Sequence, residues 1–262
     1  MRGLVTVSCL WLATLCLPVS VQAQSAPPVV AAASDLQFAL TEAAERFEQQ
    51  TGHALRLNFG SSGNFRRQIA QGAPFELYLS ADESYVLALN QEGHVQNEGV
   101  IYAVGRLAWL QNPGAAELDE DDPLGAVEQA LAAHQSGERQ RIALANPEHA
   151  PYGVAAMQAL KHAGLWEATA DLQVLGENVS QAAQYALSND VSGGLVAYSL
   201  ALAPALDARS ESLLIPESWH NPLRQRMVLT NQAGEVAEQF YQWLQQDTGR
   251  AILSDYGFVV PQ

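Results

Sequence analysis

Cysteine is scarce in this 262-residue chain: there are two, Cys9 and Cys16, and both fall within its opening segment. Past that segment there is no thiol, which excludes disulfide staples, thiolate catalysis and cysteine-ligated metal. Stability has to come from a core, and this length can supply one. Basic residues are scarce too, 13 against 28 acidic, for a formal charge of −15. Nucleic acid and anionic membrane surfaces are poor partners for such a chain. A small anion remains compatible, provided its site uses backbone dipoles and hydroxyls instead of net charge. Long apolar runs are missing after residue 17, so no later stretch is apolar enough to cross a bilayer. Low-complexity segments and tandem repeats are also missing.

The one long apolar run is Leu4 to Leu17, preceded by Arg2 and broken by Pro18. Val21-Gln22-Ala23 then supplies a V-x-A cleavage signal. A signal peptide over residues 1–23 is expected, with an exported, soluble mature chain. Cys16 follows Leu15, where a lipoprotein signal would place a small residue. Losing Arg2 leaves 12 of the 13 basic residues against 28 acidic, a formal −16. The composition, 48% hydrophobic and 16% charged, is globular and allows a large core or two lobes.

The pattern that organises the rest starts at Val29-Val30-Ala31-Ala32-Ala33, which reads as a short buried strand ended by Ser34. Leu36, Leu40, Ala43, Ala44 and Phe47 then share one helical face, which puts Ser34 at an N-cap position. Gly52 stops that helix. Leu55, Leu57 and Phe59 alternate as a strand, Gly60-Ser61-Ser62-Gly63 follows, and Phe65 and Ile69 mark a helix closed by Gly72. Phe75 to Ser80 is a third strand. This β-α-β-α-β-α order argues for a mainly parallel sheet covered by helices. Val100 to Leu110 reads as one extended stretch, interrupted at Gly105-Arg106, that leaves one lobe for the other. The acids of Glu117 to Asp122 read as a solvated loop, since a calcium loop would need Gly and alternating ligands.

The second half repeats the scheme: strand Ile142 to Ala145, a Pro-rich loop, a helix from about Val154 to His162, strand Leu172 to Leu175, a helix opened by Asn178, and strand Gly194 to Tyr198. Leu213 to Ile215 is a short strand, Met227 to Leu229 the return, Glu235 to Leu244 an amphipathic helix, and Tyr256 to Val260 a docked tail. Four strand-to-helix junctions stand out: Ser34, Ser61-Ser62, Tyr152-Gly153 and Asn178-Val179. The first N–H groups of a helix have no partner within it and the dipole is positive there, so such junctions suit an anion. Facing each other across a cleft, they could donate to every oxygen of a small oxyanion. No dense basic cluster accompanies them; Arg66 and Arg67 read as solvated helix positions.

Here the sequence resembles the periplasmic molybdate-binding proteins of bacterial ABC importers. The resemblance lies in Ala31-Ala32-Ala33-Ser34-Asp35-Leu36, Gly60-Ser61-Ser62-Gly63, Gln68 to Pro74, Leu79-Ser80-Ala81-Asp82, Asn146 to Gly153, Gly176-Glu177-Asn178-Val179 and Tyr256-Gly257-Phe258. It implies an α/β, two-lobed binding protein, each lobe a mainly parallel sheet flanked by helices. The lobes would be 27–105 with 224–262, and 106–223. Molybdate or tungstate would be held between them, without a cofactor, and delivered to a membrane permease by a monomeric periplasmic protein. By motif matching, Ser34 and Ser62 should give a hydroxyl and an N–H, Asp35 its N–H with the carboxylate turned away, Tyr152 its N–H and phenol, and Val179 its N–H. Molybdenum would be reached through the oxyanion oxygens, not ligated directly. Ser61 is a further candidate. So is Tyr198, although Ala197 aligns better with the tyrosine some members carry and a one-residue shift turns a strand side chain to the other face. The return, Arg224-Gln225-Arg226-Met227, is less apolar than the resemblance leads one to expect.

Two rival readings set tests. A hydrolase would need His149 to contact both Ser62 and Asp82, and no G-x-S-x-G elbow surrounds Ser61 or Ser62. A sulfate or phosphate binder would share the fold, and a protonated phosphate would need an acceptor, for which Asp35 is the one acid in a matched motif. The proposed donors do not titrate near neutrality, so ligand binding is expected to be nearly insensitive to pH between 6.5 and 8.

Overall fold

The computed structural model describes residues 26–261; the signal peptide expected over 1–23 lies outside them. Ten strands form two five-stranded sheets. The first holds β1 (Val29–Ala33), β2 (Arg56–Gly60), β3 (Leu77–Ser80) and β4 (Val100–Gly105). The second holds β5 (Leu107–Gln111), β6 (Ile142–Ala145), β7 (Gln173–Gly176), β8 (Gly193–Ala197) and β9 (Glu211–Leu214). Strand β10 (Leu223–Leu229) returns to the first sheet. The orders are β2-β1-β3-β10-β4 and β7-β6-β8-β5-β9. In each sheet three neighbouring strands are parallel, and the fourth place is taken by a strand antiparallel to both neighbours: β10 between β3 and β4, β5 between β8 and β9. Those two are the strands that have just crossed between sheets. Each sheet therefore holds, by main-chain hydrogen bonds on both sides, a strand that the chain has just carried over from the other.

The helices are α1 (Gln37–Thr51), α2 (Ser62–Ala70), α3 (Glu83–Gln91), α4 (Gly125–Gln135), α5 (Pro151–His162), α6 (Val179–Ala186), α7 (Tyr198–Ala201), α8 (Pro204–Asp207), α9 (Glu235–Leu244) and α10 (Asp247–Asp255). Period-two alternation sorts the first sheet's side chains to two buried faces. Val30, Ala32, Leu77 and Leu79 pack with Leu36, Leu40, Phe47 and Phe240, while Ala31 and Tyr78 pack with Phe65, Ile69 and Val86. Phe47 meets Phe240 edge-on at 5.1 Å between ring centroids, an arrangement that adds roughly 0.5–1.5 kcal/mol beyond area burial. The second sheet buries Trp109, Leu144 and Leu195 in its own core.

Gly52 ends α1 at φ 76°, the left-handed conformation that glycine adopts at little cost. The extended stretch that crosses between lobes divides at Gly105-Arg106 into β4 and β5. The return strand is longer than Met227 to Leu229, because its polar start, Leu223 to Arg226, pairs with β4. Helix α5 begins at Pro151, three residues before the apolar periodicity, since Pro needs no N–H partner in a first turn. Tyr198 does not end β8; it is the first residue of α7, so alternation along a strand does not govern where it points. The tail docks, with Phe258 buried and Val259 bridged to Val104.

Candidate functional site

Parallel strands end together, so the loops after β1, β2, β6 and β7 bring Ser34, Asp35, Ser61, Ser62, Tyr152 and Val179 to the seam between the sheets. All six are buried. Several hydrogen bonds cross the seam, among them those from Ser180 N–H to Ser34 Oγ (3.2 Å), from Ser180 Oγ to Gln37 Oε1, from Ser199 Oγ to the Asp35 carbonyl (2.8 Å), and from Gly63 N–H to the His149 carbonyl (3.0 Å). The two halves are drawn together in a closed arrangement. Gly63 is required there, because a Cβ at that position would lie 2.8 Å from the His149 carbonyl oxygen.

The first turns of three helices have a shared accounting. At α2, Gly63 N–H goes to His149, and Asn64 N–H to the Ser61 hydroxyl (3.3 Å). At α5, Pro151 has no N–H, and Gly153 and Val154 donate to the Ala150 carbonyl. At α6, Ser180 N–H goes to Ser34 Oγ and Gln181 N–H to Asn178 Oδ1 (3.0 Å). What is left without an acceptor among the described residues is the N–H of Ser62, Tyr152 and Val179, one per helix. First-turn N–H groups have no intrahelical partner, and each of these sits at the positive end of its dipole.

The hydroxyls follow the same logic. Ser62 Oγ accepts from Ala81 N–H (3.0 Å) and Ser34 Oγ accepts from Ser180 N–H. A hydroxyl oxygen used as acceptor on the protein side still has its hydrogen to donate elsewhere. Ser34 therefore caps nothing in its own helix: it opens a 3-10 turn, Ser34–Leu36, ahead of α1, and its hydroxyl serves α6 across the seam. Ser61 differs. It caps α2, and its hydroxyl is 2.9 Å from His149 Nδ1, so both of its roles are spent within the protein.

His149 meets neither Ser62 nor Asp82 in the described hydrogen bonds. Its ring joins Ser61 on one side and Glu177 (3.5 Å, Nε2 to Oε2) on the other. With Ser61 buried and already capping a helix, this trio ties the two halves together rather than presenting a nucleophile. Tyr198 is half-buried, with the Arg106 guanidinium 5.3 Å above its ring and Gly257 against its edge. It lines a separate cleft with Arg106, Pro216 and Glu217.

Asp35 carries the one charge in the cluster. Its Oδ2 accepts from Gln225 Nε2 (2.5 Å), while Oδ1 is buried with no hydrogen-bond partner. Burial lifts its pKa from 3.8 to about 6, against the opposing pull of Gln225, the Tyr152 hydroxyl and the N–H groups of Asp35 and Leu36. Tyr152 is pushed well above the ordinary phenol range, first by burial and then by the Asp35 charge. The expected pH-insensitivity omitted this group: sequence placed the carboxylate beside the site without showing its burial, and a carboxyl titrating near 6 introduces a pH dependence. Gln225 is the residue that sequence reasoning missed. It surfaced only as an unexpectedly polar position in the return strand.

A chain with this two-sheet architecture, crossed twice and closed over uncharged donors, is built to enclose a small solute. The chain belongs to the bacterial extracellular solute-binding proteins, whose family model matches residues 28–259. Among its relatives are the molybdate-binding protein ModA of Rhodobacter capsulatus, 31% identical over 94% of this chain and 93% of that one, and ModA of Azotobacter vinelandii, 32% identical over 90% and 91%. The solved periplasmic molybdate-binding protein of Azotobacter vinelandii superposes with a TM-score of 0.79 at 30% identity, over 90% of this chain and 100% of that one.

Proposed function

We propose that this protein captures molybdate, or tungstate, in the periplasm after export through its 1–23 signal, and delivers it as a monomer to an ABC permease in the membrane. The observation that carries the reading is that three helix starts joined across the seam each keep an N–H without an acceptor, at Ser62, Tyr152 and Val179, while the Ser34 and Ser62 hydroxyls accept from the protein and have their hydrogens to donate. These donors reach a tetrahedral oxyanion without any cation, which suits a chain of net charge −15. The relatives that carry molybdate in their names support the choice of ligand. Asp35 borders the anion through its backbone. Tyr152 gives its N–H, while its phenol is held against Asp35 and Gln225. Ser61 supports the site by capping α2, and Tyr198 lies in a separate cleft; neither touches the ligand in this reading.

Titration of the mature protein with molybdate, tungstate, sulfate and phosphate tests this reading. Saturation by sulfate or phosphate and not by molybdate would replace the ligand and keep the fold. Ser62→Ala tests the site. It should weaken molybdate binding by about 1.5–3 kcal/mol, the usual worth of a hydrogen bond to a charged group. It also strands the buried Ala81 N–H, at about 1–3 kcal/mol of stability, so calorimetry has to be done well below the melting transition. Unchanged affinity would remove Ser62 from the site.

A further inference from the structure

The polar start of the return strand has a role that the proposed site does not use. Gln225 is fully buried on β10, one residue before a break in register against β4; a bulge of this kind re-aims a side chain. Its amide is completely engaged. Nε2 donates to Asp35 Oδ2 at 2.5 Å and to the Tyr152 hydroxyl at 3.3 Å, and Oε1 accepts from the Tyr102 hydroxyl at 2.6 Å. Asp35 and Tyr102 belong to the first sheet's half of the molecule, and Tyr152 opens α5 in the other. One amide on a crossing strand thus holds a group next to each side of the anion site. Gly105, the last residue of β4, leaves the space: a Cβ there would lie 2.2 Å from the Tyr152 hydroxyl and 2.7 Å from Gln225 Nε2.

We propose that Gln225 is the positioning residue of the oxyanion site: by bonding Asp35 and Tyr152 at once it sets the spacing of the closed halves, and so the size of anion they accept. The proposal rests on the oxyanion reading above. The physical reason is that the donors at Ser62, Tyr152 and Val179 belong to different helices, so their mutual distances depend on how far the halves close. A fully satisfied buried amide permits one spacing, because any other leaves a polar group unpaired.

The test compares Gln225→Leu, Gln225→Glu and Ser62→Ala with the wild type, by calorimetric titration with molybdate and sulfate between pH 5.5 and 8. Gln225→Leu should lower molybdate affinity tenfold or more and shrink the molybdate-to-sulfate ratio at least as much. Gln225→Glu keeps the shape and sets a carboxyl against Asp35. The other titratable groups around it are Tyr102 and Tyr152, while Arg224 and Arg226, its neighbours along the strand, pair with Glu83. At pH 8 this variant should bind weakly, and at pH 5.5 it should recover most of its affinity, as one proton shared by the two carboxyls replaces the amide hydrogen. A structural role alone would lower the melting temperature and leave the selectivity ratio and the pH profile as in the wild type; that outcome overturns the proposal. If Gln225→Leu does not fold, the pH profile of Gln225→Glu decides. Ser62→Ala separates the layers. Loss there with wild-type behaviour in both Gln225 variants ends the positioning proposal and keeps the site, whereas a wild type that does not bind molybdate ends both.

Discussion

Micromolar molybdate or tungstate should raise the melting temperature by several degrees, while millimolar sulfate or phosphate does little. Molybdate, tungstate and sulfate are tetrahedral dianions at neutral pH, so charge and the number of acceptor oxygens do not separate them. Size does. The proposed donors sit on three helix starts and two serines, and hydrogen bonds across the seam, among them Gly63 to His149 and Ser180 to Ser34, bear on their spacing. A smaller ion leaves some donors out of reach. Hydrogen bonds weaken steeply beyond about 3.2 Å, and each buried donor left unsatisfied costs roughly 1–3 kcal/mol. Two or three poor bonds place sulfate several kcal/mol behind, on the order of 10³-fold in affinity. A ligand bound only by the folded state at 1,000 times its Kd stabilises that state by about 4 kcal/mol. Differential scanning fluorimetry across the four oxyanions reads this directly. Equal shifts with sulfate and molybdate would show that the closed cleft does not measure size.

Asp35→Asn should melt at a higher temperature than the wild type at pH 7.5, and the advantage should vanish near pH 4. The sign follows from linkage. The folded pKa, about 6, is above the value of 3.8 for the free side chain. Folding therefore favours the protonated acid. That contribution is fully present below pH 3.8 and is lost as the pH rises through 6, where a buried carboxylate has to be tolerated. About two units between the two values correspond to roughly 3 kcal/mol at neutral pH. Asparagine avoids the charge while still accepting from Gln225. Ligand binding should carry the same signature. A dianion beside Asp35 disfavours its ionised form further, so wild-type affinity strengthens as the pH falls from 8 towards 6 and Asp35→Asn is flat over that range. Thermal melts and titrations of both proteins at pH 4, 6 and 7.5 check it. A destabilised Asp35→Asn at pH 7.5 would mean that the carboxylate is worth more as an acceptor than its burial costs.

What could be read from the sequence was local. The strand Val29 to Ala33, the glycine stop at Gly52, the helix Glu235 to Leu244 and the junctions at Ser62, Tyr152 and Val179 all follow from periodicity and turn chemistry that a few neighbouring residues decide. The β-α alternation gave the fold class for the same reason, since a parallel strand pair requires a crossover. The family resemblance then attached an oxyanion to those junctions.

Tertiary structure decided which atoms remain available. Ser34 and Ser62 look alike to Ser61 in sequence, yet Ser61 spends its hydroxyl on Asn64 and His149, while the other two accept from Ser180 and Ala81 and keep their hydrogens. Tyr198 left the strand because β8 ends at Ala197 and α7 begins. Gln225 and Asp35 lie 190 positions apart and meet only because β10 crosses back beside β3 and β4. Periodicity reports which face of an element is buried, and it has no access to partners that distant in the chain. The sequence by itself determined the elements, their order and the kind of donor at each helix start. The three-dimensional packing determined which donors stay unpaired and how far apart they are held, because both depend on hydrogen bonds that form only when the two halves close.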